Sequence, residues 1–100
     1  MVKGKAVAVV TFPSTHYAIS AERLLAAKAC AYTIIPTPSE LSHQCGIALQ
    51  ISFDDVQSIG ILLKESRIRF LSHRGTIVDN RLYLEENTML WNENRDYNNR

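Results

Sequence analysis

Apolar residues fall along the chain in short blocks whose spacing switches between two periods. Ala6-Val-Ala-Val-Val-Thr-Phe12 is a continuous β-branched and apolar run, suited to a strand in the middle of a sheet. Pro13-Ser14-Thr15 ends the run and offers hydroxyl N-caps to a helix. From His16 to about Ala29, residues Tyr17, Ala21, Leu24, Leu25 and Lys28 recur at helical spacing, with Glu22 and Arg23 on the other side. Tyr32 to Ile35 predicts a short strand halted by Pro36. Thr37-Pro38-Ser39-Glu40 reads as a capping box opening one or two helical turns.

Ile47, Leu49, Ile51 and Phe53 then alternate with Ala48, Gln50 and Ser52, the two-residue period of a half-buried strand. Asp54 with Gln57 predicts the cap of a second helix, with Val56, Ile59, Gly60 and Leu63 inside. Arg67 to Leu71 alternates once more and predicts a fourth strand. The succession strand, helix, strand, strand, helix, strand predicts an α+β fold, a ferredoxin-like βαββαβ two-layer sandwich with an antiparallel sheet. On this reading residues 1–73 form the domain and residues 74–100 a C-terminal extension. The extension holds a possible hairpin turning at Asp79-Asn80, a docking segment at Met89-Leu90-Trp91, and a polar end expected to fray.

A length of 100 residues fits one domain, and 46% apolar with 21% charged residues fits a globular chain with a modest core. The formal charge of +1 supplies no electrostatic reason to bind nucleic acid or an anionic membrane. No apolar run approaches the roughly 20 residues that span a bilayer. Lys3-Gly4-Lys5 before an apolar stretch imitates a signal peptide, but the stretch stops at Pro13 without a cleavage pattern and reads as a strand. Two cysteines, Cys30 and Cys45, are too few for a disulfide framework, so both are expected reduced in the cytoplasm.

Of these thiols Cys45 carries the candidate chemistry. In the expected topology the first and third strands are antiparallel neighbours. The segment from Phe12 to His16 therefore leaves the sheet where Cys45-Gly46 enters it. Ser14, Thr15, His16, His43 and Gly46 converge on the thiol at this rim. A helix N-terminus and a nearby imidazole favour the thiolate, the reactive form of cysteine, whereas the end of the Thr37 turn opposes it. Gly46 leaves room for a second sulfur to approach the backbone. Cys30, between Ala29 and Ala31 at a helix end, reads as packing, and His73 as a surface residue.

Thr11-Phe12-Pro13-Ser14-Thr15-His16, Ala21-Glu22, Ile35-Pro36-Thr37-Pro38 and Ser42-His43-Gln44-Cys45-Gly46 together resemble the putative selenium/sulfur carrier protein-like family of short bacterial domains. The resemblance covers roughly Ala6 to Ser72. It implies that Cys45 holds sulfur or selenium as a persulfide or perselenide, without a cofactor and as a stoichiometric carrier rather than an enzyme. It further implies a donor protein resembling a cysteine desulfurase, an acceptor protein, and, where selenium is used, a link to selenophosphate synthesis. A rival reading is a non-catalytic binding or dimerisation module, possible as a homodimer, in which Cys45 is structural. A weaker one is a thiol redox enzyme using Cys45 with or without Cys30. A metal site of Cys45, His43 and His16 is disfavoured, because no Cys-x-x-Cys pair accompanies them.

Overall fold

The computed structural model describes residues 4–41 and 43–92. Strand β1 (Lys5–Thr11) leads into helix α1 (Thr15–Ala27), then strand β2 (Thr33–Pro36) and a single 3-10 turn at Ser39–Leu41. Strand β3 (Ile47–Ser52) passes through a second 3-10 turn, Phe53–Asp55, into helix α2 (Val56–Glu65). Strands β4 (Leu71–Val78) and β5 (Arg81–Asn92) follow. The described residues form an α+β fold: one antiparallel five-stranded sheet in the order β2-β3-β1-β4-β5, with two helices. No described helix is long and apolar enough to cross a membrane.

The core lies between the sheet and the helices. Ala8, Val10 and Phe12 of the first strand and its exit meet Leu49 and Ile51 of β3, Ala18, Ala21 and Leu25 of α1, and Ile59 and Leu63 of α2. Phe12, Leu25, Leu49 and Leu63 are fully buried, and each such side chain contributes about 1.5–3 kcal/mol through removal of apolar surface from water. The inner face expected for α2 is the one observed, with Ile59, Gly60 and Leu63 buried.

The sheet's other face departs from expectation. Val7 and Val9, which alternation points away from the helices, are as buried as the core. Beside Val7 runs the β4–β5 hairpin, which turns at Asp79-Asn80 as expected; both residues have positive φ, 51° and 64°. This is the backbone of a tight primed turn, which matches the twist of the flanking strands. Register shifts between Ser72 and Gly75 then bend the pair. A Cβ at Gly75 would lie 3.0 Å from Leu82 Cδ1, 3.2 Å from the Tyr83 carbonyl oxygen and 3.6 Å from Val7 Cγ2, so a side chain there would press on β5 beside Val7.

Several element boundaries also moved. The fourth strand begins at Leu71 rather than Arg67, because Arg67 takes positive φ (59°) to end α2 and Ile68 N–H reaches back to the Leu63 carbonyl. Asp54 is not the cap of the second helical segment. Ser52 Oγ accepts from Asp54 N–H, and the 3-10 turn intervenes before α2. The Trp91 and Met89 side chains and the polar end past residue 92, expected to dock and to fray, lie outside the described residues.

Helix α1 also ends on a left-handed residue. Ala29 has φ 58°, and Cys30 N–H bonds the Leu25 carbonyl at 2.9 Å. A Cβ disfavours that conformation, which glycine adopts freely. Ala29→Gly is therefore expected to stabilise the fold by about 0.5–1 kcal/mol, read as a raised denaturant midpoint at unchanged slope.

Candidate functional site

The site is built on the antiparallel pairing of β1 with β3. Val10 lies opposite Leu49, so the chain leaving β1 and the chain entering β3 emerge together at one end of the sheet. Cys45 N–H donates to the Phe12 carbonyl at 2.9 Å, joining the two stretches. Thr37 holds the other side. Its N–H donates to the Gly46 carbonyl at 3.0 Å and its hydroxyl to the Cys45 carbonyl at 2.6 Å. Both backbone polar groups of Cys45 are thus engaged, and the residue is fixed before its side chain does anything.

The thiol itself is half-buried. It packs against the core cluster and donates to the Ile47 carbonyl at 3.3 Å. Gly46 beside it is exposed, and a Cβ there would meet nothing within 4 Å. Its backbone is not in the left-handed region either, so neither packing nor conformation within the chain demands glycine. Space over the Cys45–Gly46 peptide is what the missing side chain leaves.

The flanking residues take distinct places. Ser14 is the N-cap of α1, its hydroxyl accepting from Tyr17 N–H at 3.5 Å while its carbonyl accepts from Ala18 N–H. Thr15 and His16 begin the helix and are exposed, and the His16 ring rests edge-on against Tyr17. His43 is exposed on the loop before Cys45. Its electrostatic influence falls on His73. Among the described residues no group of three or more His, Cys, Asp or Glu side chains is arranged to hold a metal ion.

Cys30 is remote. Its N–H is tied to the C-terminal end of α1, whereas Cys45 is tied to the residue two positions before that helix's cap. The intervening helix is about 20 Å long, and a disulfide needs Cα atoms within roughly 7 Å. Both cysteines are free. An intrachain bridge, as one redox reading requires, does not fit this fold.

Sequence reasoning missed Thr37, Ile47 and His73. The hydroxyl of Thr37 was assigned to a helix cap, but it binds across the loop, and the turn that follows is a single 3-10 turn. His73 is not at the end of a strand on the surface. It lies within β4 opposite Val9, with Nε2 sealed from solvent and without a protein hydrogen-bond partner among the described residues. Thr11 Oγ1 and Gln44 Oε1 share that condition. The alternating pattern of β4, extended past His73, is the signal that could have placed it. Burial, and secondarily the charge of His43, hold the His73 pKa below its ordinary value of 6.5.

The sequence profile of the family described as Putative Se/S carrier protein-like matches residues 8–73. No curated protein and no solved structure matches the chain.

Two outcomes are expected. Thr37→Val removes the hydroxyl that braces Cys45, lowering stability by about 0.5–1.5 kcal/mol and speeding alkylation of Cys45 but not of Cys30, as peptide mapping of modified thiols will read. The lowered His73 pKa contributes stability that is complete above 6.5 and is lost as pH falls through the folded value. The denaturant midpoint will therefore drop on acidification, and the drop will be smaller in His73→Gln.

Proposed function

As the chain belongs to the Putative Se/S carrier protein-like family, we propose that it is a stoichiometric carrier that holds one sulfur or selenium atom on Cys45 and passes it between proteins. The observation that carries this reading is a half-buried thiol whose backbone is held at both N–H and C=O, next to a glycine with open space above it. A carrier needs a nucleophile that is positioned, accessible from one side, and not already consumed by a bridge.

The transfer balances without an added oxidant. The Cys45 thiolate attacks the terminal sulfur of a donor persulfide; a new S–S bond forms to Cys45 while the bond to the donor's cysteine breaks, and the donor departs as a thiolate with that electron pair. The second transfer repeats the step with Cys45 as the leaving group. Fixing the Cys45 backbone supplies the orientation such a displacement needs. Ser14 caps the helix that Thr15 opens, three residues after the Phe12 carbonyl that binds the Cys45 amide, and His16 and His43 are the imidazoles available to assist a thiolate there.

The donor in this reading is a protein resembling a cysteine desulfurase and the acceptor a second protein, in a bacterial cytoplasm; selenium transfer would feed selenophosphate synthesis. The first four strands and two helices are taken as a ferredoxin-like unit to which β5 is an addition. The family match ends at residue 73, inside β4, so the extension from residue 74 completes that strand and supplies β5. A binding module with a structural Cys45 is favoured by one observation, the exposed isoleucines Ile34 and Ile47 at the β2 edge.

Intact-mass measurement separates the two. Incubation with a cysteine desulfurase and cysteine, or selenocysteine, is expected to add one chalcogen atom that a reductant removes. Cys45→Ser should lose the adduct and Cys30→Ser should keep it. A wild-type protein that never gains mass would overturn the carrier.

A further inference from the structure

Helix α1 covers β1 and β3 but stops short of covering β2, the strand at the sheet's edge. Along that edge Ile34 is 56% exposed, Ile19 45% and Ile47 36%. With Ala18, Glu22 and Leu49 they line a shallow cavity of about 100 Å³. An engineered cavity of roughly 150 Å³ takes a benzene ring, so this smaller one suits a single aliphatic side chain. The charged group among these lining residues is already engaged, because the Glu22 carboxylate accepts from the Tyr32 hydroxyl.

Ile47 joins this groove to the thiol. Its side chain walls the cavity, and its carbonyl accepts from Cys45 Sγ at 3.3 Å. Only Gly46 separates Cys45 from Ile47, so the thiol and the wall of the groove adjoin along the chain.

We infer that the groove formed by Ile19, Ile34 and Ile47 is the docking site for the protein that delivers sulfur or selenium, which inserts one apolar side chain there while its chalcogen meets Cys45. This rests on the carrier reading above and extends it by naming how the donor is recognised. The displacement step requires the donor's persulfide within bonding distance of Cys45 Sγ, so the donor must cover the surface adjoining that thiol. The groove is the apolar part of that surface.

The groove suits a transient visitor better than a second copy of this chain. A stable interface buries about 800 Å² on each partner, far beyond three part-exposed isoleucines around one side-chain-sized hollow. Strand β2 is also only four residues long and ends in Pro36, which has no N–H, and both features blunt edge-to-edge strand pairing.

The test compares two sources of sulfur on the full chain. A cysteine desulfurase with cysteine is the protein donor, and cysteine persulfide is the small donor that needs no docking. Ile34→Asp is expected to slow loading of Cys45 from the protein donor by about tenfold, equivalent to 1.4 kcal/mol, while loading from cysteine persulfide stays as in wild type. Ile34→Thr keeps the β-branched shape of the strand residue and should show the same selectivity in smaller degree, even should the aspartate variant misfold. Loading from the protein donor at the wild-type rate in both variants would overturn the docking site. So would equal slowing from both donors, which would mean that the groove only supports the fold of the site. Sedimentation that finds a dimer dispersed by these variants would overturn it as well, by assigning the groove to a second copy. A wild type that accepts sulfur from the small donor but not from the protein donor refutes the docking inference alone. A wild type that accepts it from neither refutes the carrier itself.

Discussion

The hydrogen bond from the Cys45 amide to the Phe12 carbonyl holds the site together. It joins two stretches far apart in sequence, and it can form only because β1 and β3 are antiparallel neighbours in register. That register in turn follows from burying Leu49 and Ile51 on the same side as Ala8, Val10 and Phe12; a slip of one residue would send both to the opposite face. The chemistry at the rim therefore depends on apolar packing in the middle of the sheet. A core substitution that loosens β3 would misplace the thiol without touching it.

Local bonding then sharpens what topology provides. Thr37 binds the loop at two points, the carbonyls of Gly46 and Cys45, so the segment leaving β2 and the segment entering β3 are laced together around a single turn. On the opposite side of the sheet, Gly75 and the register shifts in β4 bring β5 close enough to shelter Val7. The sheet face away from the helices is consequently less bare than in an arrangement of four flat strands. Among the described residues, three of the five exposed large apolar side chains, Ile19, Ile34 and Ile47, line one groove between α1 and the β2–β3 pair, next to the thiol's hydrogen-bond acceptor.

Much of this arrangement could be read from residue order. The alternation from Ile47 to Ser52, the helical spacing from Tyr17 to Leu25, and the inner face Ile59, Gly60, Leu63 are local patterns with one physical interpretation each, and all appear in the fold. The Asp79-Asn80 turn was legible for the same reason, since both residue types tolerate positive φ. The meeting of Cys45 with the end of β1 was legible only through topology. Features decided by competition between partners were not. A threonine hydroxyl before Pro38 can cap a turn or bind across a loop, and spacing alone does not separate them. Helices ending on Ala29 and Arg67 in place of glycine gave no stop signal, so the length of α1 and the start of β4 were misjudged. The alternation from Arg67 stops at Leu71, so His73 reads as a surface residue, whereas β4 runs on through it to Val78.

The distance between the two cysteines has a consequence for timing. Many thiol proteins keep a second cysteine within reach, and that neighbour expels whatever the first has captured. Here Cys30 is a helix-length away, on the far side of the core. A chalcogen on Cys45 would have no internal sulfhydryl to release it, so the dwell time of the loaded form would be set from outside, by the arrival of a nucleophile on another molecule.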